Sequence, residues 1–189
     1  VGLASVRAGN VIGAGDWAND RLIPDILRSF ENDRPVIIRN PKATRPWQHV
    51  LEPLSGYLVL AEKLYKNQKK YAEDWNFGPD EKDVKPVDWI LDSMIENWPG
   101  SSWELDQHPS PHEASLLKLD ISKAESGLNW KPIWKLSYTL KKIITWHKAW
   151  INKENMQDVC FIEIEEYMKD MMLRNNKVIK LRNNKVIKL

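Results

Sequence analysis

A guanidinium, a short amide and several carboxylates lie close to turns in the first quarter of this 189-residue chain, and together they have the chemistry to grip a phosphorylated ligand. Arg45 precedes Pro46 and Trp47, which hold its loop extended, and a guanidinium there can pair with phosphoryl oxygens through two parallel N–H bonds. Asn10 closes a β-prone run, and its amide can donate to a phosphoryl oxygen. Each has a structural alternative: Arg45 as a surface cation paired with a carboxylate, Asn10 as the side chain of an Asx turn. Arg21 is either a second cation for the same ligand or the partner of Asp20 or Asp25. Asn76, in Trp75-Asn76-Phe77-Gly78-Pro79, reads as backbone support beside the site.

Other patterns are set aside on physical grounds. Gly13-Ala14-Gly15-Asp16-Trp17-Ala18 has the G-x-G-x-x-A spacing of a dinucleotide turn, but Asp16 puts negative charge where open N–H groups should meet phosphate, and Pro24 would interrupt the helix interior. A turn that shapes a lid is the better reading. Tyr65-x-x-x-Lys69 and Tyr138-x-x-x-Lys142 have a reductase spacing that chance supplies in a lysine-rich chain, and both fall within helical patterns. His49, His108, His112 and His147 lack the spacing of a zinc site, and His147 lies on an apolar helix stripe as a core residue would. The single cysteine, Cys160, excludes an intramolecular disulfide and fits a reducing, cytoplasmic setting.

These residues need a frame. Leu3 to Val6 is a β-prone run that breaks into a turn rich in Gly, Asn and Asp. That is how a buried parallel strand delivers a polar loop at its C-terminal end, where ligands sit in open α/β sheets. The 3.6-residue periodicity predicts helices over 23–30, 51–65, 86–98 and 137–152, with Pro53 in the first turn of the second. Short strands are expected at 36–38, 74–77 and 102–105. Asp120 as N-cap and Gly127 just past the end bracket a helix of one or two turns. A hydrophobic content of 42% with 29% charged residues is that of an ordinary globular chain, and no run approaches the ~18 apolar residues needed to span a bilayer.

The net charge of +2 hides an asymmetry. Residues 173–189 carry six cations and no acid, which leaves the rest acidic by four charges, so no nucleic-acid footprint covers the body. That tail repeats LRNNKVIK at 173–180 and 181–188, with units too short and too few for a solenoid. It reads as a duplication, expected to be disordered, after a helical extension over 153–172.

Taken in order, Ser5-Val6-Arg7-Ala8-Gly9-Asn10-Val11-Ile12-Gly13, Asp20 to Asp25, Thr44-Arg45-Pro46-Trp47-Gln48-His49-Val50, Trp75 to Pro79, Pro111-His112-Glu113-Ala114 and Leu119 to Ala124 resemble the extended short-chain dehydrogenase/reductase family. The likeness is strongest to its nucleotide-sugar 4,6-dehydratases that act on CDP-glucose, and it covers residues 1 to about 150. It implies the C-terminal part of a doubly wound Rossmann-type α/β fold, with a small α/β substrate-binding lobe built from residues 17–35 and 80–135. It implies that Asn10 and Arg45 contact the substrate diphosphate, that Arg21, Leu22 and Ile23 line base and diphosphate, and that Glu113 lies near the nucleotide ribose. The backbone of Val11 would lie against the nicotinamide of NAD.

The implied reaction removes water from CDP-glucose by oxidation at C4, elimination across C5–C6 and hydride return at C6, giving a 4-keto-6-deoxy sugar. In the family the Gly-rich NAD turn and the Tyr-x-x-x-Lys pair precede the strand that opens this chain. No residue here is therefore assigned to catalysis, none to a metal, and NAD enters by resemblance alone. The chain is expected to be the substrate-binding half of a cytoplasmic lyase, inactive by itself and, with an open sheet edge, poorly soluble or oligomeric. The full-length protein is expected to be a homo-oligomer whose partner is a nucleotide-sugar rather than nucleic acid or membrane. Two other readings stay open: a dTDP-glucose-type dehydratase or epimerase sharing Arg45, and a noncatalytic sugar-nucleotide-binding module.

Overall fold

Gly9 divides the opening strand in two, and the halves take different partners. The computed structural model describes residues 1–107 and 117–186, with side chains as far as Arg174. In chain order the elements are β1 (Ser5–Ala8), β2 (Asn10–Ile12), α1 (Leu22–Glu31), β3 (Val36–Ile38), β4 (Thr44–Arg45), β5 (Trp47–His49), α2 (Leu51–Lys66) and α3 (Gln68–Tyr71). There follow β6 (Asp74–Phe77), β7 (Lys85–Pro86), α4 (Val87–Glu96), β8 (Trp103–Leu105), a π-helical turn at Ala124–Leu128, α5 (Leu136–Ile151) and α6 (Met156–Val186).

β1 lies parallel to β6, with Ala8 opposite Phe77, and β2 lies parallel to β5, with Asn10 opposite Trp47. The exchange of partners happens within one residue. Gly9 N–H donates to the Phe77 carbonyl at 3.0 Å, and Asn10 N–H donates to the Pro46 carbonyl at 2.8 Å. Gln48 fills the gap between the two ladders, its Nε2 donating to the same Phe77 carbonyl at 2.7 Å and so using the second lone pair. A Cβ on Gly9 would lie 2.3 Å from the Pro46 carbonyl oxygen, so only glycine lets the chain pass this close.

Two apolar cores hang on this strand. In the first, α1, α4 and the early turns of α5 meet through Ile26, Phe30, Ile90, Leu91, Leu140 and Ile143, and the parallel pair β3–β8 (Val36 opposite Trp103) closes one side. In the second, Phe77 and Trp75 of β6 pack with Leu60, Ile121, Leu128 and Trp130, and the Phe77 and Trp130 rings meet edge to face at 4.9 Å. The expected strands and helices of residues 1–152 fall within about two residues of their places, β1 beginning at Ser5 rather than at Leu3, whereas the extension expected over 153–172 belongs to a helix over Met156–Val186 that takes in most of the repeat expected to be disordered.

Gly127 requires a correction. It lies inside the π-helical turn rather than beyond its end, and the left-handed cap is Asn129 at φ 58°. A side chain at 127 would come within 2.9 Å of the Trp75 ring, so the glycine is there to admit an indole. Asp120 stands ahead of the turn, whose N-cap is Lys123, and accepts from Ser122 N–H at 2.8 Å, a bond that holds its carboxyl below the usual carboxylate range.

Glu52, in the first turn of α2, is fully buried, and its carboxylate accepts the backbone N–H of Ile133 at 2.9 Å and of Trp134 at 2.7 Å. A buried charge held by two amides ties α2 to the segment that launches α5. Asp83 accepts the Leu136 N–H at 3.0 Å and starts that helix.

By internal contacts the chain divides into residues 1–148 and 149–189. In the second unit Lys153, at φ 60°, ends α5, Asn155 accepts from Gln157 N–H at 3.1 Å to begin α6, and α6 continues through the helical extension and the basic repeat to Val186. No helix among the described residues is long and apolar enough to cross a membrane.

Replacing Glu52 with Ala leaves two buried N–H donors without their acceptor and should lower stability by about 2–4 kcal/mol. Glu52→Gln, which keeps one acceptor oxygen, should cost about half of that. Urea unfolding of the three proteins gives the order directly.

Candidate functional site

A cleft of about 790 Å³ opens where the β2–β5 ladder, the start of α1 and the loop after β3 come together, a volume in the usual range for a small-molecule site. Asn10, Val11, Arg21, Leu22, Ile23 and Arg45 all stand on its walls. Glu113 lies outside the described residues.

Each wall residue is placed by a different local cause. Asn10 is set by the partner exchange at Gly9, and Val11, 39% exposed, follows at the rim. Arg45 belongs to a short antiparallel pair with β7, opposite Lys85, and its Nη1 donates to the Thr44 carbonyl at 2.9 Å, which folds the side chain back along its own strand. Leu22 and Ile23 open α1, after an extended Arg21 at φ −121°.

Arg21 pairs with neither of its expected partners. Its Nη1 lies 3.3 Å from Asp16 Oδ2, while Asp25 is taken by Arg28 one turn further along α1. The i,i+3 position gives Arg28 the nearer approach, and the tight turn brings Asp16 round to Arg21. Arg28 also donates to the carbonyls of Trp17 at 3.2 Å and Ala18 at 3.1 Å, and Asp16 accepts the Ala18 N–H at 3.0 Å. The Ala18 amide and two carbonyls of this turn are therefore used internally, and α1 begins only at Leu22, so the G-x-G-x-x-A run opens no helix onto a phosphate.

Several wall residues went unnoticed in the sequence. Arg39 and Asn40 follow β3, and Trp47 stands opposite Asn10. The Trp47 indole is buried, and its Nε1 has no acceptor among the described residues. A cation directly after an apolar strand was the available signal for Arg39; for Trp47 there was none. The loop carrying Arg39 is fastened to the start of α4: Val87 N–H donates to the Ala43 carbonyl at 3.0 Å and Asp88 N–H to the Pro41 carbonyl at 2.9 Å. Lys42 Nζ lies 2.6 Å from Asp88 Oδ2, a bond that raises its pKa above the ordinary lysine value.

The charge on the walls is finely divided. Three guanidiniums (Arg21, Arg39, Arg45) face three carboxylates (Asp16, Asp20, Asp25), but Asp16 is engaged by Arg21 and Asp25 by Arg28. The remaining balance favours an anion.

Away from the cleft, Asn76 donates to the Asp120 carbonyl at 3.1 Å as backbone support, and buried His147 meets Glu31 Oε1 at 2.5 Å between α5 and α1. Tyr65 is exposed, and the Tyr138 ring lies 5.4 Å from Lys142 Nζ, away from the residues of the cleft. Among the described residues no group of His, Cys, Asp or Glu side chains converges as metal ligands would.

Comparison with known proteins bears on both sequence and fold. The chain is 60% identical over 169 residues to a CDP-glucose 4,6-dehydratase of Salmonella typhimurium; the match takes in 89% of this chain and 47% of that protein, so the chain spans about half the length of this relative. No family model matches. Among solved structures, a UDP-glucose 4-epimerase from Stenotrophomonas maltophila with NAD and formylated UDP-arabinopyranose has a TM-score of 0.69 at 16% identity, covering 81% of this chain and 49% of that one. A UDP-glucuronic acid 4-epimerase from Bacillus cereus in complex with NAD and UDP-4-deoxy-4-fluoro-glucuronic acid gives 0.66 at 20% identity, over 79% and 46%. A dTDP-glucose 4,6-dehydratase from Bacillus anthracis in complex with NAD gives 0.60 at 15% identity, over 77% and 44%. The expected fold, part of a Rossmann-type α/β architecture with a small α/β lobe, is the one these structures share, and the resemblance drawn from the ordered motifs stands.

The site depends on the close passage at Gly9. Gly9→Ala should push β2 off β5, cost about 1–3 kcal/mol of stability, and speed hydrogen exchange at the Asn10 N–H, which now donates to Pro46. Native-state exchange followed by NMR reads both effects.

Proposed function

We propose that this chain carries the nucleotide-sugar-binding part of a CDP-glucose 4,6-dehydratase of the extended short-chain dehydrogenase/reductase family. One observation carries the reading: Asn10 and Arg45, far apart in sequence, stand on the walls of one cleft together with Arg21, Leu22 and Ile23. An activated hexose is a diphosphate between a sugar and a flat base. The cleft supplies a guanidinium and an amide for the first and apolar side chains for the last.

In this reading Arg45 and Asn10 donate to the diphosphate, Arg21 stands at its flank with its charge tempered by Asp16, and Leu22 and Ile23 contact the base. The buried Trp47 N–H adds support, since a donor without an acceptor costs about 1–3 kcal/mol and a ligand oxygen would satisfy it. Glu113 is proposed for the nucleotide ribose.

The residues present fit NAD only at an edge. Val11 at the rim of β2 offers its backbone to a nicotinamide, whereas the turn at 13–18 opens no helix onto a pyrophosphate and has its Ala18 N–H taken by Asp16. NAD supplies, when bound, the hydride acceptor for C4 and the hydride donor for C6. The chain's own residues hold the sugar-nucleotide while that exchange takes place, and none is assigned to the chemistry. The activity proposed for the whole protein is conversion of CDP-glucose to CDP-4-keto-6-deoxyglucose and water, by a homo-oligomer in the cytoplasm; this stretch alone is proposed to bind without turning over.

Isothermal titration with CDP-glucose tests the clamp. Arg45→Ala should weaken binding by about 1.5–3 kcal/mol, the scale of a charged hydrogen bond. An unchanged affinity removes Arg45 from the site. A parallel titration with dTDP-glucose separates the CDP reading from the dTDP-type dehydratase or epimerase.

A further inference from the structure

Arg39 has no part in the clamp just described. It follows β3 directly, is exposed, lines the cleft, and makes no ion pair or side-chain hydrogen bond among the described residues. The other two guanidiniums of the cleft are engaged, Arg21 with Asp16 and Arg45 Nη1 with the Thr44 carbonyl. Its backbone is pinned on both sides: the Ile38 carbonyl accepts Asp106 N–H at 2.8 Å, and the Asn40 carbonyl accepts Ala43 N–H at 3.2 Å. The side chains before it in sequence are apolar, and Asn40 follows it on the same wall. Ile37, 56% exposed, and Ile38 stand on the same wall, and Leu22 and Ile23 face the cleft from the start of the neighbouring α1. An isoleucine held in the open on a cleft wall offers a face to a flat ring, and a guanidinium two residues on can reach the edge of that ring.

We infer that Arg39 reads the base, donating two parallel N–H bonds to N3 and O2 of a cytosine that lies against Ile37 and Leu22. The inference rests on the cleft being a nucleotide-sugar site. A guanidinium has donors only. Cytosine presents two adjacent acceptors, N3 and O2, and matches that geometry. Uracil keeps O2 but carries a hydrogen on N3, so one arm of the guanidinium would face another donor. The mismatch rejects uracil as well as favouring cytosine. A phosphate would also accept from Arg39, but a phosphate contact makes no distinction between bases, and Arg45 with Asn10 already serves that end.

The test is titration of the 189-residue chain with CDP and with UDP, with circular dichroism to verify that each variant keeps its fold. CDP should bind roughly ten-fold or more tightly than UDP, the discrimination expected of one bidentate pair. Arg39→Ala and Arg39→Lys should both bring that ratio close to one, because an ammonium lacks the paired donors, while UDP affinity changes by less than about three-fold. Arg45→Ala should weaken both nucleotides together and preserve the ratio. Equal weakening of CDP and UDP by Arg39→Ala, or equal affinities in the unaltered chain, overturns the base-reading role and leaves the clamp standing. Failure of the unaltered chain to bind either nucleotide overturns the nucleotide-sugar reading, and this inference with it.

Discussion

The rest of the structure depends on how closely two backbones pass at Gly9. Within a single residue the opening strand leaves β6 and joins β5, and the 2.3 Å that would separate a Cβ from the Pro46 oxygen leaves no room for a side chain. That handover turns one ladder into two and opens the strand end where Asn10 and Arg45 line one cleft. Gln48 makes the arrangement affordable by satisfying the Phe77 carbonyl from the side. Were the two ladders to run straight on, the turn after Ile12 would have no cleft to border.

Around that pivot the fold uses buried polar groups as fasteners. Glu52 grips two backbone amides from the segment before α5, and Asp83 caps the helix itself. The loop with Arg39 is tied to the head of α4 by two carbonyls and an ion pair. Apolar burial provides the bulk of the cohesion, but it is nondirectional. The directional bonds decide which side chains face the cleft.

Much of the lining of the candidate cleft was legible in the sequence. A β-prone run breaking into Gly-Asn and an Arg-Pro-Trp step each carry local information about backbone direction, and local information survives into the fold. What escaped was set by distant parts of the chain. The role of Gly127 depends on Trp75, some fifty residues earlier, and no local pattern tells a cap from a seat for an indole. The partner of Arg21 depends on how a tight turn brings Asp16 round, which charge spacing along α1 cannot reveal. Arg39 looks like any surface cation until the wall beside it is known, and the buried Trp47 N–H comes to notice only once its neighbours are counted.

The turn between β2 and α1 is anchored in an unusual currency. Arg28 reaches it through the carbonyl oxygens of Trp17 and Ala18, groups that every amino acid offers. Those two bonds do not depend on which side chains stand at 17 and 18, while the Trp17 ring adds a hold of its own against the rings of Trp146 and His147, at 6.4 and 5.6 Å. The backbone path so held sets where Asp16 and Asp20, on either side of the two carbonyls, stand on the cleft wall, and a substitution of Arg28 would move both carboxylates at once.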